Sequence, residues 1–137
     1  MNRIAYMVMK NIVQAPIWFY HLVQMGKEND THTEQERYDY LRNMVKIINR
    51  KGRVSIDVHG IENLPKEDGF VMFPNHQGLY DSLALIEASH RPFGAVIKKE
   101  AANIILIKQV IAVLRGLSLD REDPRDGIRV ITEVTRA

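Results

Sequence analysis

The chain contains no cysteine among its 137 residues. This absence excludes disulfides, thiolate zinc sites and a cysteine nucleophile together. The chain also has no large excess of either charge, since it contains 19 Lys and Arg residues and 17 Asp and Glu residues. A net charge of +2 is too small to indicate nucleic-acid binding, so we expect no nucleic-acid partner. The length and the hydrophobic content of 45% predict one buried core.

A hydrophobic run long enough to cross a bilayer is also missing. The longest uncharged stretch, residues 11–26, is shorter than the roughly 20 residues that a spanning helix needs. Pro16 would kink or divide any helix formed there. Lys10 interrupts the apolar region and no clear cleavage site follows it, which disfavours a signal peptide.

Residues 1–27 nevertheless differ from the rest of the chain, because they contain no acidic residue and many large apolar ones. This pattern predicts an amphipathic helical segment that lies on a membrane surface. Trp18, Phe19 and Tyr20 are the predicted lipid contacts, since aromatic side chains favour the headgroup region. The alternative is a helix that packs on the remaining domain, residues 28–137, or on a partner subunit.

A histidine and an aspartate stand where a predicted strand meets a predicted helix. The apolar residues 70–73 predict a strand buried on both faces, which Pro74 ends, and a helical pattern begins at Leu79. His76 lies in the intervening turn, where open α/β sheets place their ligands. Asp81 follows in the first helical turn, where a carboxylate can fix the imidazole tautomer and strengthen it as a base. The alternative is that His76 only caps or packs in the turn.

The remaining periodicities predict an α/β fold, a mostly parallel sheet covered by helices on both faces. Predicted strands cover residues 54–58, 70–73, 93–97 and 116–119. Predicted helices cover residues 34–49, 79–89 and 101–114, and a further helix begins near residue 128. Because parallel strands end at one edge, this order predicts that His76, Lys98-Lys99 and Asp120-Arg121 lie together there.

Two stretches resemble motifs of one enzyme family. Residues 75–81 read Asn-His-Gln-Gly-Leu-Tyr-Asp, which resembles the first motif, Asn-His-x-x-x-x-Asp, of the glycerolipid acyltransferases. Gly78 stands where many members have Ser or Thr. Residues 116–121, a short apolar strand that ends in Arg121, are similar to the second motif of the same family, whose best-known members are lysophosphatidate acyltransferases.

The resemblance implies transfer of a fatty acyl group from acyl-CoA or an acyl-carrier protein to a lysophospholipid hydroxyl, with 1-acylglycerol-3-phosphate as the expected acceptor. His76 would be the general base and Asp81 its orienting partner. Asn75, Gly78 and Arg121 would contact substrate, with Arg121 on the acceptor phosphate. The resemblance implies no metal and no cofactor besides the donor, and a peripheral position on the cytoplasmic face of a membrane.

The chemistry of the residues agrees with direct transfer. A neutral imidazole can remove the proton of an alcohol as its oxygen attacks a thioester carbonyl. No covalent enzyme intermediate is needed, and the sequence has neither a cysteine nor a Gly-x-Ser-x-Gly elbow.

Part of the family pattern is missing. The third motif, similar to Glu-Gly-Thr-Arg, has no match, and the chain stops at Ala137 inside a predicted helix. We therefore expect a fragment, the N-terminal part of a catalytic domain, that is inactive alone. Two other functions stay open: a non-enzymatic domain that binds a membrane surface or a partner, and a metal-dependent phosphohydrolase that uses His76 and Asp81.

Overall fold

The computed structural model describes residues 3–67, 69–75 and 78–136, and within these ranges it has seven α-helices and one two-stranded sheet. The elements in chain order are α1 (Arg3–Asn11), α2 (Ala15–Met25), α3 (Glu34–Lys51), α4 (Leu79–Ala88), β1 (Val96–Lys98), α5 (Lys99–Ala102), α6 (Ile107–Val113), β2 (Leu117–Leu119) and α7 (Pro124–Arg136).

The N-terminal segment forms two helices, as the proline predicted. Pro16 lies in the first turn of α2, where its missing N–H removes no intrahelical hydrogen bond. Both helices contribute to the core, through Met7 of α1 and through Leu22 and Met25 of α2.

The core is built around α3. Thr33 caps this helix by accepting the Glu36 N–H, and the Glu36 carboxylate accepts the Thr33 N–H in return. One face of α3 then packs against α1, α2, α4 and α6. The buried cluster consists of Leu22, Met25, Tyr38, Leu41, Met44, Val45, Ile86, Val113 and Leu114. All of these except Leu114, which directly follows α6, lie on helices, so α3 is the centre of a helical core and not a cover for a sheet.

The sheet is parallel, as predicted, and small. β1 and β2 pair in the register Val96 with Leu117 and Lys98 with Leu119. β2 lies within the predicted strand at 116–119, whereas β1 shares only residues 96–97 with the predicted strand at 93–97. The connection between them contains α5 and α6, which is the β-α-β arrangement that a parallel pair requires.

Two predicted strands are wrong in this structure. Residues 54–58 and 70–73 are not in strands, and Val71 and Phe73 are 56% and 91% exposed instead of buried. A strand exists only where a neighbour exchanges backbone hydrogen bonds with it, and an apolar run predicts the tendency without supplying that neighbour. The predicted cover of helices on both faces of the sheet is likewise not confirmed.

The helix predicted for residues 101–114 is interrupted. α5 ends at Ala102 and α6 begins at Ile107, and Leu106 between them has a φ of 77°. The two adjacent β-branched residues Ile104 and Ile105 lower the local helix propensity. The Gln109 side chain then accepts the Leu106 N–H at 2.7 Å and caps the second helix.

Candidate functional site

Asp81 lies in the first turn of α4, as predicted. Its Oδ2 accepts the backbone N–H of Gly78 at 3.1 Å, and its own N–H donates to the Gly78 carbonyl at 3.2 Å. Gly78 is extended, with φ −158° and ψ 168°. The carboxylate is therefore held at the positive end of the helix dipole, five residues after the predicted base in the sequence.

The structure describes only some of the other motif residues. Asn75 is exposed and lies in neither a helix nor a strand. His76 and Gln77 lie outside the described residues, so the pairing of His76 with Asp81 stays a prediction. Elsewhere a second histidine, His59, forms a contact of 3.0 Å between its Nε2 and Asp57 Oδ2, with both side chains more than 80% exposed.

A buried polar network fixes α4 against α3. Asn49 is 1% exposed, and its Oδ1 accepts the Tyr80 hydroxyl at 2.6 Å. Its Nδ2 donates to the Glu87 carboxylate. The network joins both ends of α4 to one residue of α3, and so positions the helix whose first turn carries Asp81.

The sequence held a signal for this network that periodicity reasoning missed. Tyr38, Leu41, Val45 and Asn49 follow one another at helical spacing on the buried face of α3. A polar residue on such a stripe is expected to have hydrogen-bond partners, because burying an amide without them is costly.

Side chains of α3 also bind the C-terminal end of α4. Arg42 Nε donates to the Glu87 carbonyl at 3.0 Å, and the Tyr38 hydroxyl donates to the Ile86 carbonyl at 3.2 Å. The last carbonyls of a helix have no partner within it, so these bonds satisfy them. Burial raises the pKa of Tyr38 to about 12, and the phenol therefore stays a neutral donor at ordinary pH.

The carboxyl ends of β1 and β2 meet at one edge, as predicted. Lys99 Nζ lies 2.9 Å from Asp120 Oδ2. The hydrogen bond between them lowers the pKa of Asp120 and raises the pKa of Lys99. Two of the three predicted strand ends thus converge, whereas the third, that of residues 70–73, is not placed by strand pairing.

The turn that carries Arg121 is held by residues of α7. Asp126 Oδ2 accepts the Asp120 N–H at 2.8 Å, and Asp126 Oδ1 lies 2.6 Å from Arg129 Nε. Arg129 also donates to the Ser118 carbonyl at 3.0 Å. The hydrogen bond from Arg129 lowers the pKa of Asp126, which keeps the carboxylate ionised as an acceptor.

Arg121 itself is exposed in that turn. Among the described residues, no protein group forms a hydrogen bond or an ion pair with its guanidinium, so an anion from solution can reach it. Sequence reasoning missed the two supporting residues, Asp126 and Arg129. Asp126 lies in the first turn of α7 and Arg129 follows three residues later, a spacing that brings helical side chains together and could have indicated them.

The N-terminal helices present an apolar surface. Trp18 is half-buried and packs against the core cluster, whereas Phe19 and Tyr20 are 37% and 61% exposed. The large apolar side chains exposed on α1, on α2 and in the turn between them are Val8, Met9, Ile12, Val13, Ile17, Phe19 and Tyr20. Lipid contact by Trp18, Phe19 and Tyr20 stays a prediction.

The described residues contain neither a membrane-spanning helix nor a cluster of metal ligands. Across residues 3–67, 69–75 and 78–136, no helix combines the length and apolarity needed to cross a bilayer. Over the same ranges, no three His, Asp or Glu side chains form a group that could hold a metal ion.

Comparison with known proteins gives one result. A family model described as Acyltransferase matches residues 55–137, which is more than half of the chain and includes both motif stretches. Searches of curated proteins and of solved structures gave no match.

Proposed function

Because this chain belongs to the glycerolipid acyltransferase family, we propose that it transfers a fatty acyl group from an acyl thioester to the hydroxyl of a lysophospholipid. The proposed acceptor is 1-acylglycerol-3-phosphate, and the proposed donor is acyl-CoA or an acyl-carrier protein. The observation that carries the proposal is Asp81, whose carboxylate is anchored to the Gly78 N–H at the start of α4, within the matched range.

His76 is the general base in this proposal. Its neutral imidazole takes the proton of the acceptor hydroxyl as the oxygen attacks the thioester carbon. The tetrahedral intermediate then collapses, the carbon–sulfur bond breaks, and the thiolate takes the proton back from the imidazolium. Asp81 orients the ring and stabilises its positive charge during the transfer.

The oxyanion of the tetrahedral intermediate needs hydrogen-bond donors near the start of α4. The Gly78 N–H already donates to Asp81 and is therefore not a donor in this scheme. Other backbone N–H groups of the 75–81 motif donate to the oxyanion in this proposal. Asn75 and Gly78 form part of the wall of the substrate site.

Arg121 is proposed to bind the phosphate of the acceptor. A guanidinium can hold a phosphate through two parallel hydrogen bonds. Two observations support this role. Arg121 is exposed, and hydrogen bonds of Asp126 and Arg129 hold its turn, which fixes the position of the backbone from which the guanidinium extends.

We propose that the chain works peripherally on the cytoplasmic face of a membrane. A lysophospholipid acceptor resides in the bilayer, so an enzyme that acylates it has to approach the lipid surface. The exposed apolar side chains of α1 and α2 support the N-terminal segment as the contact.

The base is tested by acyl transfer to lysophosphatidate from acyl-CoA and from an acyl-carrier protein, with this chain and any longer natural form that contains it. His76→Ala should lower the rate by about 10²–10⁴, the usual contribution of a general base. Asp81→Asn should also lower it, although its amide oxygen can still accept the Gly78 N–H.

His59→Ala is the matched control, because it removes the exposed histidine of another His–Asp pair and should transfer like the wild type. If His76→Ala also transfers like the wild type, the proposed mechanism is wrong. Metal-dependent phosphate release in place of transfer would favour the phosphohydrolase.

The phosphate contact is tested separately by Arg121→Ala. Loss of the guanidinium should raise the KM for lysophosphatidate and leave the KM for the thioester unchanged. Arg125→Ala removes a neighbouring exposed arginine and should change neither. An unchanged acceptor KM in Arg121→Ala would exclude the assigned contact.

A further inference from the structure

Three consecutive aliphatic side chains are exposed in the turn between α5 and α6. The exposed fractions are 53% for Ile104, 76% for Ile105 and 47% for Leu106. We call residues 104–106 the aliphatic tip. Contiguous apolar side chains in water are unfavourable, and in native proteins they mark surfaces that contact a partner or a lipid phase.

The backbone of the aliphatic tip is bonded locally. The Ile104 N–H donates to the Ala101 carbonyl at 3.1 Å, and the Leu106 N–H donates to Gln109 Oε1 at 2.7 Å. The Ile104 carbonyl accepts the Lys108 N–H at 2.9 Å. Unbonded peptide groups are costly in a lipid environment, so a turn with these internal bonds suits entry into one. The bonds also retain Leu106 at its positive φ of 77°.

The charge beside the aliphatic tip favours an anionic surface. Residues 98–108 contain three lysines and one glutamate. Lys108 lies two residues beyond the tip and is exposed. Lys98, at the end of β1, is also exposed, with its ammonium 3.9 Å from the Glu100 carboxylate. Lysines that border exposed aliphatic residues can meet anionic headgroups while the aliphatic groups enter the layer below.

The aliphatic tip lies close to the proposed site. Lys99, the partner of Asp120, is the first residue of α5. This helix, about 6 Å long at four residues, and Asn103 connect Lys99 to the tip. The helix that follows the tip, α6, packs on α2, and Arg115 beyond it donates to the Gly26 carbonyl at 3.2 Å. The tip and the exposed N-terminal helices therefore belong to one packed unit.

We propose that the aliphatic tip inserts into the headgroup region of an anionic lipid bilayer and holds the carboxyl edge of β1 and β2 against it. This inference rests on the proposed function, because an enzyme whose acceptor comes from the bilayer needs its substrate site, at the carboxyl edge of β1 and β2, close to the lipid. It adds a second lipid contact to the one proposed for residues 1–27.

The absence of cysteine makes a local test clean. Ile105→Cys, labelled with a nitrobenzoxadiazole fluorophore, is mixed with vesicles of equimolar phosphatidylcholine and phosphatidylglycerol. The emission should shift to the blue and be quenched by nitroxide groups on the lipid acyl chains. Ile131→Cys, labelled in the same way, is the control, because Ile131 is similarly exposed at 66% but lies on α7. Its emission should stay unchanged.

A second measurement follows binding itself. Ile105→Asp should lower vesicle binding of the full chain by about tenfold, the loss expected when one aliphatic side chain no longer enters lipid. Ile131→Asp should leave vesicle binding unchanged.

An unshifted emission at position 105, or equal shifts at positions 105 and 131, would overturn the proposal. A blue shift at position 105 without vesicles, which increases with the concentration of the chain or of added acyl-carrier protein, would also overturn it. The tip would then contact a protein and not a lipid bilayer. Acyl transfer is not part of these readouts. A tip that inserts, together with no transfer activity in any longer natural form that contains this chain, would overturn the proposed function and leave this inference standing.

Discussion

At the scale of single residues, Asn49 shows how one buried polar group organises its surroundings. It is nearly inaccessible to solvent, it accepts from Tyr80 at 2.6 Å, and it donates to Glu87. An apolar residue at this position would pack on the same stripe but would not specify how α4 is turned against α3. The pair of hydrogen bonds supplies that specification.

The first prediction concerns the Asn49 amide. Asn49→Ala should lower the free energy of unfolding by about 2–4 kcal/mol. The substitution removes the hydrogen bonds that the Asn49 amide forms with the Tyr80 hydroxyl and the Glu87 carboxylate. Urea unfolding measures the change. Asn43→Ala on the exposed face of the same helix should change it by no more than about 0.5 kcal/mol. Equal effects of the two substitutions would contradict the network.

At the scale of elements, the close approach of two backbones decides how β2 begins. A Cβ built on Gly116 would lie 2.6 Å from the Ala95 carbonyl oxygen and 3.1 Å from Ile111 Cγ2. The next residue, Leu117, donates its N–H to the same Ala95 oxygen at 2.8 Å. Glycine is therefore required at position 116, where the chain leaves α6 and enters β2, the strand that pairs with β1.

Two glycine substitutions are predicted to have opposite effects. Gly116→Ala should lower the free energy of unfolding by about 1–3 kcal/mol, since the backbones of the strand pair would have to move apart. Gly127→Ala should raise it by about 0.5–1 kcal/mol, because Gly127 lies within α7 with open space where the alanine Cβ would lie, and alanine favours helix.

Thermal or urea unfolding of both variants checks this pair. A Gly116→Ala protein as stable as the wild type would show that β1 and β2 are not in the contact described.

At the scale of the whole molecule, α1 and α2 have two faces with different environments. Met7, Leu22 and Met25 are buried in the body of the protein, while Val13 and Ile17 are 83% and 58% exposed. Removing residues 1–27 would therefore take away part of the core together with the apolar surface. Single exposed residues give a better test of lipid contact than a deletion.

Val13→Glu should reduce binding to anionic vesicles in a flotation assay by about tenfold, because a valine side chain transferred from water to lipid is worth roughly 1.5 kcal/mol. The free energy of unfolding should stay within about 0.5 kcal/mol of the wild type, as is usual for an exposed position. Ile128→Glu, on the exposed side of α7, is the control and should bind like the wild type. Undiminished binding by Val13→Glu would place the lipid contact elsewhere.

The local signals of the chain were sufficient for several features. Pro16 marks where α2 begins, since a proline acts through sterics within one turn, whereas α7 begins at Pro124 and not near residue 128 as predicted. The placement of Asp81 in the first turn of α4 and the family of residues 55–137 could also be predicted, because both rest on contiguous motifs.

The tertiary structure decided what contiguous patterns leave open. Residues 70–73 have the composition of a buried strand, but a strand needs a neighbour, and within the described part of the chain none pairs with them. Lys99 and Asp120, 21 residues apart, meet because β1 and β2 pair in parallel. The sequence by itself determined where α3 and α4 start and which motif the chain carries. Which strands pair, which polar groups are buried and which apolar residues stay exposed depend on contacts between distant residues, and those exist only in the folded chain.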